Sequence, residues 1–167
     1  MTAPEARERV KSRALDLLAR REHSVKELGE KLARRMEAAP EVVREVVEEL
    51  ADKGLVSDER YAEAHARDAV RLKPRAERKL VSELVERGVP ARVAARAVAG
   101  AFADEEVDDR ALAIRLADRY RGRLGGESTE TQWRRLAGYL QRRGFDNALI
   151  YDVCEEMLPE PDRSREG

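Results

Sequence analysis

Apolar residues along this chain recur at three- and four-residue intervals, and one such pattern returns three times about fifty residues apart. Leu28 and Leu32 lead to Arg35, Leu80 and Leu84 to Arg87, and Leu136 and Leu140 to Arg143. After each Arg the chain breaks and a second stripe follows: Val42, Val43, Val46 and Val47; Val93, Ala94, Ala97 and Val98; Leu149, Ile150, Val153 and Cys154. A third stripe precedes each pair, carried by Val10, Ala14, Leu17 and Leu18, then by Tyr61, Ala62, His65 and Ala69, then by Leu112, Ile114, Leu116 and Tyr120. This spacing marks helices with one buried face, and no segment alternates with period two over a useful length. A fixed period means stacked units. The pattern predicts an all-α fold of three tandem three-helix repeats forming an elongated, curved array, at residues 9–55, 56–103 and 104–158, with flexible termini at 1–8 and 159–167. Such arrays present surface rather than a single catalytic pocket.

Punctuation places the helix ends. The first helix is expected from about Arg7 to Glu22, and Ser24 with Glu27 reads as a capping box opening the second. Pro40 opens the third and Gly54 ends it. Ser57 or Asp58 starts the next helix, which runs to about Leu72; Pro74, Gly88 and Pro90 mark the following breaks, and an Ala-rich helix ends near Ala103. The acids of the segment from Asp104 to Asp109 suit a helix start, where the dipole favours negative charge. Gly122, Gly125 and Gly126 form a connector, Thr129 with Gln132 reads as another capping box, and Asp146 caps a last helix that ends near Leu158.

Composition adjusts this picture. Charged residues are 40% of the 167 and aromatics 4%, a surface-rich balance suited to slender helical units. The net charge of -1 conceals segregation: eight acids against Arg44 and Lys53 between Glu37 and Glu59, then nine Arg against Asp118, Glu127 and Glu130 between Arg110 and Arg143. A near-neutral total therefore does not exclude an anionic partner. Cys154 is the only cysteine, so no intramolecular disulfide forms, and it stands where the other repeats carry Val47 and Val98. The first residues lack an apolar signal core and no stretch reaches the roughly 18 apolar residues of a membrane span. A soluble, cytoplasmic protein is expected.

Candidate chemistry is sparse. His23 and His65 are the only histidines, too few for a metal triad or a convincing nucleophile–base pair, so no enzyme, metal or cofactor is expected. Gly122 to Gly126 is no phosphate loop, because no strand precedes it and no Lys-Ser or Lys-Thr follows. Basic clusters are more telling. Arg71, Lys73, Arg75, Arg78 and Lys79 surround one turn, and Arg119, Arg121, Arg123, Arg134 and Arg135 another. Groups of this kind displace counterions from phosphates without reading sequence. Tyr120 and Trp133 are the candidate stacking partners, too few for a dedicated single-strand binder. Third helices are acidic or Ala-rich, which disfavours a helix-turn-helix reader of base edges.

The segment LADKGLVSDERY from Leu50, followed by KPRAERKLVSELVERGVP from Lys73, resembles the core signature of the RecX family of recombinase regulators. ALDLLARREHSVKELGEKLARR resembles that family's first repeat and LAGYLQRRGFDNALI its third, so the likeness runs from about Arg13 to Leu158. Two departures stand out: Arg35, Met36 and Glu37 occupy the helix break where the other repeats have glycine, and Leu72 and Lys73 precede Pro74 where the family often has glycine. The resemblance implies three three-helix repeats and negative modulation of the RecA recombinase. Binding would be to the RecA–single-stranded DNA filament, in its groove or at its growing end. It implies suppression of strand exchange, ATP hydrolysis and coprotease action, within recombinational DNA repair and the SOS response, and the protein itself is expected to be a monomer without a membrane association. Arg71, Lys73, Arg75, Arg78 and Arg87 are the leading candidates for contact with RecA or DNA backbone, and Arg142 and Arg143 come next. The alternative for each repeat's terminal Arg is an interaction with its own helix C-terminus. A sequence-independent DNA-binding protein or a generic helical scaffold is the rival reading.

Overall fold

The computed structural model describes residues 2–158 and, within them, nine helices and no strand. The expected flexible segment 159–167 lies outside the described residues. The helices are α1 (Ala3–Leu18), α2 (Val25–Arg35), α3 (Pro40–Asp52), α4 (Asp58–Leu72), α5 (Glu77–Glu86), α6 (Ala91–Asp104), α7 (Asp109–Arg121), α8 (Thr129–Arg142) and α9 (Asn147–Met157). Two compact units make up the chain, one of the residues up to Arg67 with Val81–Gly100, the other of Asp68–Leu80 with the residues from Ala101 onward. The helices of the middle repeat run through both.

Within the first repeat each of α1, α2 and α3 packs on the other two. Their stripes meet in a core of Val10, Ala14, Leu28, Leu32, Val46 and Leu50, all with no exposed surface. Full burial of a leucine stabilises by roughly 1.5–3 kcal/mol. In the third repeat α7, α8 and α9 pack likewise, and Leu112, Leu116, Leu136, Leu140, Val153 and Cys154 are buried. Burial pushes the Cys154 thiol up to about 11, leaving it a small apolar filler.

Local chemistry shifts several boundaries. The first helix begins at Ala3, not near Arg7, because Thr2 and Glu5 complete a capping box: the Thr2 amide donates to Glu5 Oε2 at 2.8 Å and the Glu5 amide to Thr2 Oγ1 at 3.4 Å. It stops at Leu18, short of Glu22, where the chain turns and buries His23. The capping box expected at Ser24 forms only by half. Ser24 accepts from the Glu27 amide at 3.1 Å, but the Glu27 carboxylate turns to Arg21 at 2.5 Å and Lys31 at 3.1 Å. Ser128, not Thr129, caps α8, because its hydroxyl is placed to accept from the Thr131 amide at 3.3 Å. Asp146 caps α9 as expected, accepting from the Leu149 amide at 2.9 Å.

Candidate functional site

Consecutive repeats meet through one device used twice, once inside each compact unit. In the first, Asp58 opening α4 accepts from the amide of Val25, the first residue of α2, at 2.9 Å. In the second, Asp109 opening α7 accepts from the amide of Glu77, the first residue of α5, at 2.8 Å. Each aspartate thereby satisfies an amide that its helix leaves unpaired. The opposite helix end is satisfied in return. Lys26 Nζ donates to the Glu86 carbonyl at 3.2 Å, and Lys79 Nζ donates to the Arg142 carbonyl, both orphan acceptors at a helix C-terminus.

Each lysine stem also crosses a glycine in the left-handed region. Gly88 and Gly144 both have φ +88°, and a Cβ on either would lie 2.5 or 2.6 Å from the Cβ of Lys26 or Lys79. Only glycine fits both the torsion and the approach. Arg78 reinforces the second joint, donating to the carbonyls of Gly144 at 2.5 Å and Phe145 at 3.2 Å. Ser24 Oγ donates to the Arg87 carbonyl at 2.6 Å, and the Ala76 amide to the Arg143 carbonyl at 2.9 Å.

The terminal arginines stay within this framework. Arg87 Nη1 donates to the Tyr61 hydroxyl at 2.9 Å. Arg143 Nη1 donates to the Pro74 carbonyl at 3.1 Å, with its guanidinium 5.0 Å from the Tyr139 ring centre. Several other sequence candidates are held in surface ion pairs: Arg71 with Glu105 at 2.5 Å, Arg121 with Asp118 at 3.2 Å and Arg135 with Glu127 at 3.0 Å. Arg75 donates to the Lys73 carbonyl at 2.6 Å, and Arg134 and Arg142 are exposed on α8.

A different group converges on a cleft of about 170 Å3 in the second unit. Lys73, Arg119 and Arg123 line it with Arg143, over a floor that includes Pro74, Leu116 and the rings of Tyr120 and Tyr139. The two rings stack with centres 4.2 Å apart and planes at 10°. Leu72, 75% exposed, stands at the rim. No carboxylate of the described residues lines the cleft, and Asp118 and Glu105 face Arg121 and Arg71. Among the described residues, Lys73, Arg119 and Arg123 pair with no acid. Cations, an aromatic wall and an apolar lip suit a phosphate-bearing ligand with a flat, unstacked base. Tyr139 is the part that sequence reading missed. The available signal was its place one helical turn before Arg143, the residue that caps the end of α8, which brings the two side chains together.

His23 belongs to the framework. His23 Nδ1 faces the Arg21 carbonyl at 3.0 Å and Nε2 the Lys31 ammonium at 3.1 Å, an environment for neutral imidazole; burial, with the nearby cations, lowers its pKa. Among the described residues no group of three His, Cys, Asp or Glu could hold a metal ion, and no helix is long and apolar enough to cross a membrane.

These features define a protein of tandem helical repeats with a cationic cleft. Models of the first, second and third three-helix domains of RecX match residues 11–50, 57–98 and 108–154. A regulatory protein RecX from Halorhodospira halophila is 39% identical over 84% of this chain and 83% of its own. Its counterpart in Corynebacterium efficiens is 32% identical over 95% of this chain and 76% of its own. The crystal structure of RecX from Lactobacillus salivarius shares the fold, with a TM-score of 0.72 at 20% identity, covering 92% of this chain and 97% of that one. The chain belongs to the RecX family, whose members matched here are regulatory proteins.

Proposed function

We propose that this chain is a negative modulator of the RecA recombinase. It binds the RecA–single-stranded DNA filament, in the groove or at the growing end, and suppresses strand exchange, ATP hydrolysis and coprotease action together. The observation that carries this reading is the match of all three RecX domains, in order, along the chain. Three linked weak modules gain affinity on a periodic target through effective concentration, so a monomer in the cytoplasm engages a filament far more tightly than a free RecA subunit. Single-stranded DNA is an accessory contact, made through phosphates at Lys73, Arg119 and Arg123 in the cleft that residues of the second and third repeats line together. Arg71, Arg75, Arg134, Arg135 and Arg142 are the further candidates for contact with the backbone or with RecA.

RecA ATP hydrolysis on single-stranded DNA, measured while this protein is titrated, tests the reading beside a free-DNA titration in the same salt. Inhibition well below one molecule per recombinase, with weak binding to bare DNA, is the expected outcome. Tight, salt-dependent DNA binding with hydrolysis and filament assembly untouched would leave a sequence-independent DNA-binding protein, the reading that the cleft alone supports.

A further inference from the structure

In the first repeat α2 and α3 flank an apolar groove of about 390 Å3, its floor formed by Val25, Gly29, Ala33, Val43 and Val47. Gly29 lies inside a helix, where glycine costs stability relative to alanine. A Cβ built on it meets nothing within 4 Å, so packing within the chain does not require the missing side chain. Its effect is to deepen the groove.

The third repeat shows what this helix pair can hold. Counting from Leu28 to Leu136 and from Val43 to Ile150, Val25 corresponds to Trp133 and Arg44 to Tyr151. There the two rings pack edge to face across α8 and α9, with centres 5.6 Å apart and planes at 60°. The first repeat supplies no ring at either position.

The rim selects the kind of occupant. Lys26 faces Glu30 at 3.9 Å on one wall and Arg44 faces Glu48 at 3.9 Å on the other, each side chain more than half exposed. Balanced signs offer a polyanion no net attraction, whereas an apolar floor favours burial of a ring. We propose that this groove receives an aromatic side chain of the protein component of the filament, anchoring the first repeat to protein. The inference rests on the recombinase filament being the target. Contact with protein in the first repeat and with phosphate at the cleft of the second and third divides the work between two chemistries.

N-acetyl-L-tryptophanamide titrated into the isotope-labelled full chain is expected to shift the amides of Gly29, Ala33, Val43 and Val47 saturably, leaving those of Tyr120 and Arg123 in place. No saturable shift, or movement of the same signals by oligothymidylate instead, would overturn the assignment. Gly29→Trp, for which there is open space, is expected to raise the concentration for half-inhibition of RecA ATP hydrolysis about tenfold without changing single-strand affinity. Gly29→Ala should inhibit like the parent. If the parent inhibits and a folded Gly29→Trp inhibits equally, the groove assignment fails while the functional reading stands. If the parent has no effect on RecA, the functional reading fails, and with it the identity of the filament protein as occupant; saturable tryptophanamide binding would still show a groove that accepts an aromatic ring.

Discussion

Around Gly144, Lys79 donates to the last carbonyl of α8 and Arg78 to the carbonyls of Gly144 and Phe145 just beyond it, while Lys73, Arg119 and Arg123 face a cleft and, among the described residues, pair with no acid. Both groups are drawn from the same Arg- and Lys-rich segments, and their fates are opposite. At the joint the cations meet orphan acceptors that only a donor or water can satisfy, so their removal weakens folding. In the cleft they are exposed, so their removal is expected to leave folding alone and, on the proposed function, to weaken affinity for an anion. Density of positive charge along a sequence therefore does not mark a binding surface. The proposed surface is distinguished by cations that pair with no acid among the described residues, while Asp118 and Glu105 are engaged by Arg121 and Arg71.

The strongest way to break the comparison is at Gly144. Gly144→Val must adopt φ +88° and push the Lys79 stem aside, and should cost about 2–4 kcal/mol, read as a lowered urea midpoint. Replacing Lys73, Arg119 and Arg123 together by glutamine should leave the unfolding free energy within about 0.5 kcal/mol and that midpoint nearly unchanged. The same triple variant should bind single-stranded DNA about 30-fold more weakly at moderate salt, its log–log salt slope shallower by roughly two units. A lost midpoint with an intact slope would reverse the assignment of joint and cleft. Lys79→Met keeps the stem over Gly144 but drops the bond to the Arg142 carbonyl, and should cost about 1 kcal/mol with the salt slope unchanged.

A pH series sharpens the contrast between the first repeat and the rest. Burial alone would raise the Glu27 carboxyl, but hydrogen bonds from Arg21 and Lys31 outweigh it and hold it at about 2, below its ordinary 4.5. Lys53, Lys11 and Arg7 hold Glu49 at about 2 in the same way. For both, the unfolded chain takes up protons that the folded chain refuses, so their stabilisation is present above pH 4.5 and is lost as pH falls towards 2. His23, its pKa lowered from 6.5, acts in the same direction at higher pH, since the unfolded imidazole protonates first. Urea midpoints should therefore fall below about pH 6.5 and again below about pH 4.5, and Glu49→Gln should flatten the lower limb.

How much of this was legible beforehand depends on the range of the interaction. The three stripes with their Arg, the breaks at Pro40, Gly54, Gly88 and Gly144, and the cap at Asp146 are local, and all fell where the period placed them. The half-formed capping box was not legible, because the Glu27 carboxylate is taken by Arg21, and an acceptor shared between neighbours has no sequence signature.

By itself the sequence determined the helical repeats, their cores and the family, since periodicity and glycine torsions are properties of a chain segment. Only the tertiary structure decided which cations are free. That choice depends on which carbonyls and carboxylates arrive from residues 63 to 69 positions away, as for Lys79 with Arg142 and Arg143 with Pro74, and hydrogen-bond range is set in space, not along the chain.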